Sequence, residues 1–134
     1  VCDTIGTAGT LMGMAESFKN AGSDCKIVAL EPASSPILSK GIKGAHNVEG
    51  VGLGFIPALY NPECVHSVIT IEESTARKTC RDLAIREGIF CGTSSGMNVA
   101  GALKLSKDLG PKSKVVTVAC DSGLKYLSEG LFDF

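Results

Sequence analysis

Two short segments hold residue types at a spacing able to do chemistry. The first is Ile5-Gly6-Thr7-Ala8-Gly9-Thr10, followed at once by Leu11, Met14, Ala15 and Phe18. Those apolar positions fall at i, i+3, i+4 and i+7, the stripe of an amphipathic helix. Val1 to Ile5 reads as a strand, so the glycine-threonine turn joins a strand end to a helix N-terminus. The first helical N–H groups have no partner inside the helix, and the helix dipole favours negative charge there. Gly6 and Gly9 let a ligand approach the backbone, while Thr7 and Thr10 add hydroxyl donors. Charge-assisted hydrogen bonds contribute roughly 1.5–3 kcal/mol each, so a few of them could hold a phosphate. The competing reading is a tight turn whose glycines serve packing alone.

The second segment, Gly92-Thr93-Ser94-Ser95-Gly96, matches the G-x-S-x-G nucleophile elbow and lies between a predicted strand and a predicted helix. A hydrolase of that kind needs a histidine after the serine, and both His46 and His66 precede it. Without a base the Ser94 hydroxyl stays unactivated. Ser94 is better read as a hydrogen-bonding residue at the mouth of a site. Other nucleotide signatures fail: Ala8 and Leu11 stand where a dinucleotide fingerprint needs glycine, Phe55 spoils the second glycine loop, and no Gly-Lys-Ser/Thr triplet occurs.

These segments need elements to position them. Gly22 is placed to cap the first helix. Lys26 to Leu30 reads as a buried strand that Glu31-Pro32 ends, and residues 33–47 as a polar loop with one helical turn near Pro36 to Ser39. Gly50, Gly52 and Gly54 alternate through Glu49 to Pro57, which suits neither helix nor strand and points to a functional loop. Ser67 to Ile71 is a strand. Glu72 and Glu73 open a helix with buried positions Ala76, Cys80, Leu83 and Ala84, and Gly88 caps it. Ile89 to Cys91 reads as a strand, Met97 to about Lys107 as a helix broken by Gly110-Pro111, and Val115 to Ala119 as a last strand before Cys120-Asp121-Ser122-Gly123. Strands alternating with helices, several apolar throughout, predict an α/β fold with a parallel sheet covered on both faces. Ligands bind beyond the carboxyl ends of such strands, where all three candidate turns converge.

Composition narrows the classes. The 134 residues make one domain at most, with 44% hydrophobic and 20% charged residues and a formal charge of −1. No basic patch suggests nucleic acid, and no apolar run suggests a membrane span. The six cysteines include no C-x-x-C pair, so free thiols in a reducing cytoplasm fit better than disulfides or a zinc site. His46 and His66 stand alone, as satisfied histidines rather than metal ligands. The abrupt opening on a strand suggests part of a longer protein.

Gly6-Thr7-Ala8-Gly9-Thr10, Gly50-Val51-Gly52-Leu53-Gly54-Phe55-Ile56-Pro57, Gly92-Thr93-Ser94-Ser95-Gly96 and Asp121-Ser122-Gly123 together resemble, in order and spacing, the C-terminal half of the cysteine synthases (O-acetylserine sulfhydrylases). These belong to the cysteine synthase/cystathionine β-synthase family, fold type II of the pyridoxal-phosphate enzymes. The resemblance implies a three-layer αβα fold of the tryptophan synthase β-like kind. It implies that Gly6, Thr7, Ala8, Gly9 and Thr10 cradle the phosphate of pyridoxal 5′-phosphate, and that Ser94 hydrogen-bonds the pyridine nitrogen. Asp121 and Ser122 would support the ring end, and Gly50, Gly52, Gly54 and Phe55 would border the substrate cleft. The implied reaction is β-replacement: O-acetylserine loses acetate and sulfide takes its place, giving L-cysteine. A cystathionine β-synthase-like enzyme, or a non-catalytic module that keeps the fold, are the alternatives.

Two positions depart from that pattern. Ala8 replaces a glycine, tolerable if its φ is negative, and Cys120 stands where many members have proline. The Schiff-base lysine and the substrate loop of the family belong to the N-terminal half; Lys40, Lys43 and Lys125 lie in no comparable setting. No catalytic residue is therefore expected within residues 1–134, and this chain by itself is expected to be inactive. The resemblance further implies a homodimer acting on a small amino-acid substrate.

Overall fold

A computed structural model describes residues 1–133. Three parallel strands, β1 (Cys2–Thr4), β2 (Val28–Pro32) and β3 (Ser67–Ile71), form one sheet in the order β1-β2-β3. Alternation along the strands assigns the two faces. Ala29 joins Ile5, Ala8, Leu11 and Ala15 in one buried cluster beneath α1 (Gly9–Asn20). Its neighbours Val28 and Leu30 face the other way, with Cys2, against Ala102 and Leu105 of α4 (Thr93–Leu109). The sheet thus lies between helices as the middle of three layers. Burying a side chain such as Leu11 or Leu30 contributes about 1.5–3 kcal/mol, and both are essentially inaccessible.

Helix α3 (Glu73–Asp82) packs against α4 and continues into a π turn over Leu83–Glu87, ended by Gly88 at φ 67°. The two helices approach closely because Gly96 has no side chain. A Cβ there would lie 2.3 Å from the Ala76 carbonyl oxygen and 2.4 Å from Cys80 Sγ. The short helix α2 (Ile37–Lys40) follows β2, and a 3₁₀ segment spans Gly123–Glu129.

Four expectations need correction. Strand β2 starts and ends two residues later than predicted, because pairing begins where the Val28 N–H meets the Val1 carbonyl at 2.9 Å. Glu31, 1% exposed, can lie inside the strand because its carboxylate accepts the N–H groups of Leu38 (2.7 Å) and Ser39 (3.1 Å). Ile89 to Cys91 is not a strand; Cys91 makes a single antiparallel bridge to Ser122. Val115 to Ala119 runs beside β1, where the Cys2 N–H donates to the Val116 carbonyl at 3.0 Å and the Thr117 hydroxyl donates to the Cys2 carbonyl at 2.8 Å. One backbone bond does not make a ladder, so the sheet has three strands, without the two predicted at Ile89 to Cys91 and Val115 to Ala119. Helix α4 begins at Thr93, not Met97. Its Ser- and Gly-rich start resembles a loop in composition, yet tertiary contacts bury Thr93, Ser94 and Ser95.

Candidate cofactor site

At the carboxyl ends of the strands, a cavity of about 510 Å³ is lined by residues from four parts of the chain. Asp3, Thr4, Gly6 and Thr7 come from the end of β1 and the turn after it, Glu49, Gly50 and Val51 from the glycine loop, and Ser94 from α4. Cys120, Asp121, Lys125 and Tyr126 complete the wall. Its size falls within the range of small-ligand sites, roughly 300–1,000 Å³.

The two ends of this cavity are built differently. On the β1–α1 side the backbone does the work. Gly6 has no room for a side chain: a Cβ would sit 2.2 Å from the Gly50 carbonyl oxygen. The Gly52 N–H also donates to the Ile5 carbonyl at 3.0 Å, seating the glycine loop on the exit of β1. Helix α1 has no side-chain N-cap and no acidic residue in its first turn. Its unsatisfied amides therefore suit an anion. Gly9 and Thr10, at the start of that helix, are exposed on the rim rather than lining the cavity.

Ala8 does not meet the condition of a negative φ: its φ is +69°, and it is the single non-glycine residue with positive φ among those described. Its methyl is buried with Ile5 and Leu11. Ala8 can thus offer only its backbone to a ligand, at a conformational cost of roughly 1–2 kcal/mol. Core packing of the methyl offsets that cost.

On the α4 side, side chains build the wall. Asn98 lies one turn beyond Ser94 on the same face of α4. Its Oδ1 accepts the Thr4 N–H at 2.8 Å, and its Nδ2 donates to Asp3 Oδ1 (2.6 Å), the Val118 carbonyl (2.9 Å) and Cys120 Sγ (3.3 Å). One fully buried amide thereby ties β1, α4 and the 118–120 segment together. Ser95 Oγ accepts the Cys120 N–H at 2.8 Å. Burial pushes the Asp3 carboxyl above its ordinary range, against the lowering effect of the Asn98 bond. Burial likewise raises the Cys120 thiol, while the nearby Ser94 hydroxyl lowers it.

Farther along, the Tyr126 hydroxyl donates to Asp121 Oδ2 at 2.6 Å, and burial together with that carboxylate raises the phenol well above its usual value. Lys125 Nζ lies 3.3 Å from Glu49 Oε2 and 3.8 Å from Asp121 Oδ2, bridging the glycine loop to the C-terminal segment. Among the described residues, two buried side-chain oxygens lack a hydrogen-bond partner, Thr93 Oγ1 and Asp121 Oδ1. Both belong to this end.

Gly6, Thr7, Gly50, Ser94 and Asp121 therefore meet around one cavity, while other predicted positions do not reach it. Gly52 and Phe55 line a separate recess of about 10 Å³ beside Glu31 and Leu38. Gly54, at φ 76°, lies against the Lys43 side chain. The Ser122 hydroxyl accepts the Leu124 N–H at 3.3 Å and caps the 3₁₀ segment. His46 braces the glycine loop, with Nε2 2.9 Å from the Gly52 carbonyl oxygen and Nδ1 accepting the Val48 N–H at 3.3 Å. Asp3, Asn98 and Tyr126 went unflagged in the sequence. A carboxylate inside a short apolar strand was the available signal, since buried charge is rare without a partner.

All six cysteines are unpaired, and no three His, Cys, Asp or Glu side chains among the described residues form a metal-binding group. No described helix is long and apolar enough to cross a membrane.

A parallel sheet with an uncapped helix after its first strand, and a serine of a later helix lining the same cavity as the turn between them, has the layout of a ligand-binding α/β protein. Residues 1–121 match the family described as pyridoxal-phosphate dependent enzymes, and the chain belongs to that family. It is 42% identical over 130 residues to a cysteine synthase of Staphylococcus aureus, covering 97% of this chain and 42% of that protein. It is 41% identical over 127 residues to cysteine synthase B of Campylobacter jejuni, covering 95% of this chain and 42% of the relative. Among solved structures, it superposes on a cysteine synthase of Entamoeba histolytica with a TM-score of 0.91 at 35% identity, over 99% of this chain and 40% of that one. A hydrogen sulfide-producing enzyme of Fusobacterium nucleatum gives a TM-score of 0.90 at 40% identity, over 97% of this chain and 39% of that one. The fold is thus that of the fold type II pyridoxal-phosphate enzymes. The chain spans about two fifths of the length of the curated relatives it matches.

The residues present fit that cofactor. The start of α1 has no side-chain N-cap and no acidic residue to repel a phosphate, the missing side chain at Gly6 lets the glycine loop close on the turn, and Ser94 lines the same cavity as Gly6 and Thr7.

Proposed function

We propose that this chain is the C-terminal, cofactor-binding portion of a pyridoxal-phosphate β-replacement enzyme that makes L-cysteine from O-acetylserine and sulfide. The observation that carries this reading is the single cavity that Gly6, Thr7 and Ser94 line together. The similarity to cysteine synthases, at 42% identity to that of Staphylococcus aureus, supports the choice of reaction.

When bound, pyridoxal phosphate supplies an electron sink for loss of the β-substituent. The first-turn amides of α1, with Thr7 and Thr10, bind its phosphate dianion. Gly9 leaves room for that phosphate, since a Cβ there would meet nothing closer than Thr7 Oγ1 at 3.6 Å. The Ser94 hydroxyl contacts and orients the ring nitrogen. Asp121 and Ser122 hold the backbone behind the ring end, Asp121 through Tyr126 and Ser122 by capping the segment that carries it. Of the glycine loop, Glu49, Gly50 and Val51 border the cavity and close its substrate side.

The lysine that carries the cofactor and moves the substrate proton belongs to the remainder of the protein, so residues 1–134 by themselves are inactive. The complete enzyme is a cytoplasmic homodimer acting on a small amino acid.

The test is to express the complete reading frame beside residues 1–134 and follow cysteine formation from O-acetylserine and sulfide. The complete protein should bind pyridoxal phosphate and turn over, and residues 1–134 should not turn over. A complete protein that binds the cofactor but forms no cysteine would overturn the reaction; one that binds no cofactor would overturn the site.

A further inference from the structure

One imidazole brackets the part of the glycine loop that borders the cavity. His46 Nδ1 accepts the Val48 N–H at 3.3 Å, and His46 Nε2 lies 2.9 Å from the Gly52 carbonyl oxygen. The three residues between those two bonds, Glu49, Gly50 and Val51, are the ones that line the cavity. Gly52 is shaped for this contact: its φ is +57°, and a Cβ there would lie 2.5 Å from His46 Nε2. The bracketed turn is seated on the exit of β1, where the Gly52 N–H donates to the Ile5 carbonyl at 3.0 Å. A second tie, from Lys125 Nζ to Glu49 Oε2 at 3.3 Å, joins two side chains that are each more than half exposed. Water screens such a pair, so it holds little. The half-buried imidazole, bonded twice to backbone, sets where the turn stands.

Those bonds also fix the state of the ring. A backbone amide donates and a carbonyl accepts, so Nδ1 must be bare and Nε2 must carry the proton. Protonation would put an N–H on Nδ1 against the Val48 N–H, and that bond would be lost. The charged groups around the ring are already engaged. Glu73 of α3 accepts the Asn47 N–H at 2.9 Å and its side-chain amide at 3.3 Å. Glu31 of β2 accepts the Leu38 and Ser39 amides, and Lys43 lies along Gly54. Among the described residues, none of these charges bonds to the ring.

We infer that His46 is a positioning residue for the amino-acid substrate: its neutral ring holds Glu49 to Val51 against the cavity, and its protonation releases them. This rests on the site proposed above, whose substrate side that turn closes. His46 does not itself line the cavity, so it acts through the turn.

The test compares the complete enzyme, loaded with pyridoxal phosphate, as wild type, His46→Asn and His46→Gln. Asn keeps an acceptor for the Val48 N–H, Gln keeps a donor for the Gly52 carbonyl, and neither titrates. At neutral pH each should raise KM for O-acetylserine roughly fivefold, the worth of one neutral hydrogen bond, with a much smaller change in kcat. On acidification the wild-type KM should rise to meet that of the variants, so the ratio of the two falls toward one. In ¹⁵N NMR of the histidines, the signal that His46→Gln removes should show a bare Nδ1 and a protonated Nε2. A proton on Nδ1, an unchanged KM, or a ratio indifferent to pH overturns the inference while the cofactor site stands. A complete enzyme that binds no pyridoxal phosphate or forms no cysteine overturns the site reading, and this role falls with it. The wild-type ring spectrum decides the tautomer even where a variant fails to fold.

Discussion

The two sides of the cavity, the proposed phosphate seat at the β1–α1 turn and the proposed ring wall at α4, are built from opposite materials. At the β1–α1 turn the groups on offer are backbone amides of a helix without a side-chain N-cap, and the missing side chain of Gly6 lets the glycine loop pack against that turn. At the start of α4 the wall is a set of interlocked side chains, with Asn98 joining Thr4, Asp3, Val118 and Cys120. A backbone seat tolerates little change in residue size but asks little of its neighbours. A side-chain wall depends on residues up to 95 positions apart, as in the bond from Asn98 to Asp3. Recognition of an anion can therefore be local, whereas recognition of the ring end is a property of the assembled fold.

Substitutions can break this contrast at either end. The largest effect is expected from Gly6→Val, which drives a side chain into the Gly50 carbonyl oxygen, 2.2 Å from the Cβ position. Because backbone meets backbone there, the complete enzyme should lose about 3 kcal/mol or more of stability, read from its urea midpoint. Gly9→Val is the informative partner. Its Cβ meets only Thr7 Oγ1, at 3.6 Å, so stability should hold while pyridoxal-phosphate affinity in a binding titration falls by about tenfold or more, roughly 1.4 kcal/mol. Unchanged affinity would show that the seat is elsewhere.

At the other end, Asn98→Ala strands the Thr4 N–H, the Asp3 carboxylate and the Val118 carbonyl in a buried place. A loss of about 2–4 kcal/mol is expected from unpaired buried groups of this kind, again by urea denaturation. A change below about 0.5 kcal/mol, the range of ordinary surface substitutions, would mean that the amide ties nothing together.

The smallest effect is expected at Ala8. Ala8→Gly relieves the positive φ of 69°, worth roughly 1–2 kcal/mol, but gives up a buried methyl and loosens the unfolded chain less than favourably. The net change should lie within about 1 kcal/mol of zero, with cofactor affinity unaltered because the methyl faces the core. A large loss of affinity would place the Ala8 side chain in the site.

The same contrast explains what could be read from the sequence. The β1–α1 turn announced itself, because glycines and threonines between a strand pattern and a helical stripe carry their geometry in local order. Ser67–Ile71 was equally legible, bounded as it is by an apolar alternation and two acidic residues. The start of α4 was not. Thr93, Ser94 and Ser95 have the composition of a loop, and only contacts with distant partners such as Cys120 hold them in a helix. Residues 115–119 carry strand-like side chains, yet strand identity depends on a ladder that the neighbouring backbone does not complete. Glu31 misled for a related reason: its burial depends on two amides of a helix six residues later. Asp3 and Asn98 lie 95 positions apart, and nothing in either one's local sequence names the other.

The central claim is that one cofactor spans both ends, phosphate on α1 and ring nitrogen on Ser94. A crystal structure of the complete enzyme with pyridoxal phosphate tests this most directly. It should place phosphate oxygens about 2.7–3.2 Å from first-turn amides of α1 and the ring nitrogen within hydrogen-bond distance of the Ser94 hydroxyl. A ring bound with its nitrogen away from Ser94, or a phosphate held by any other element, would contradict it.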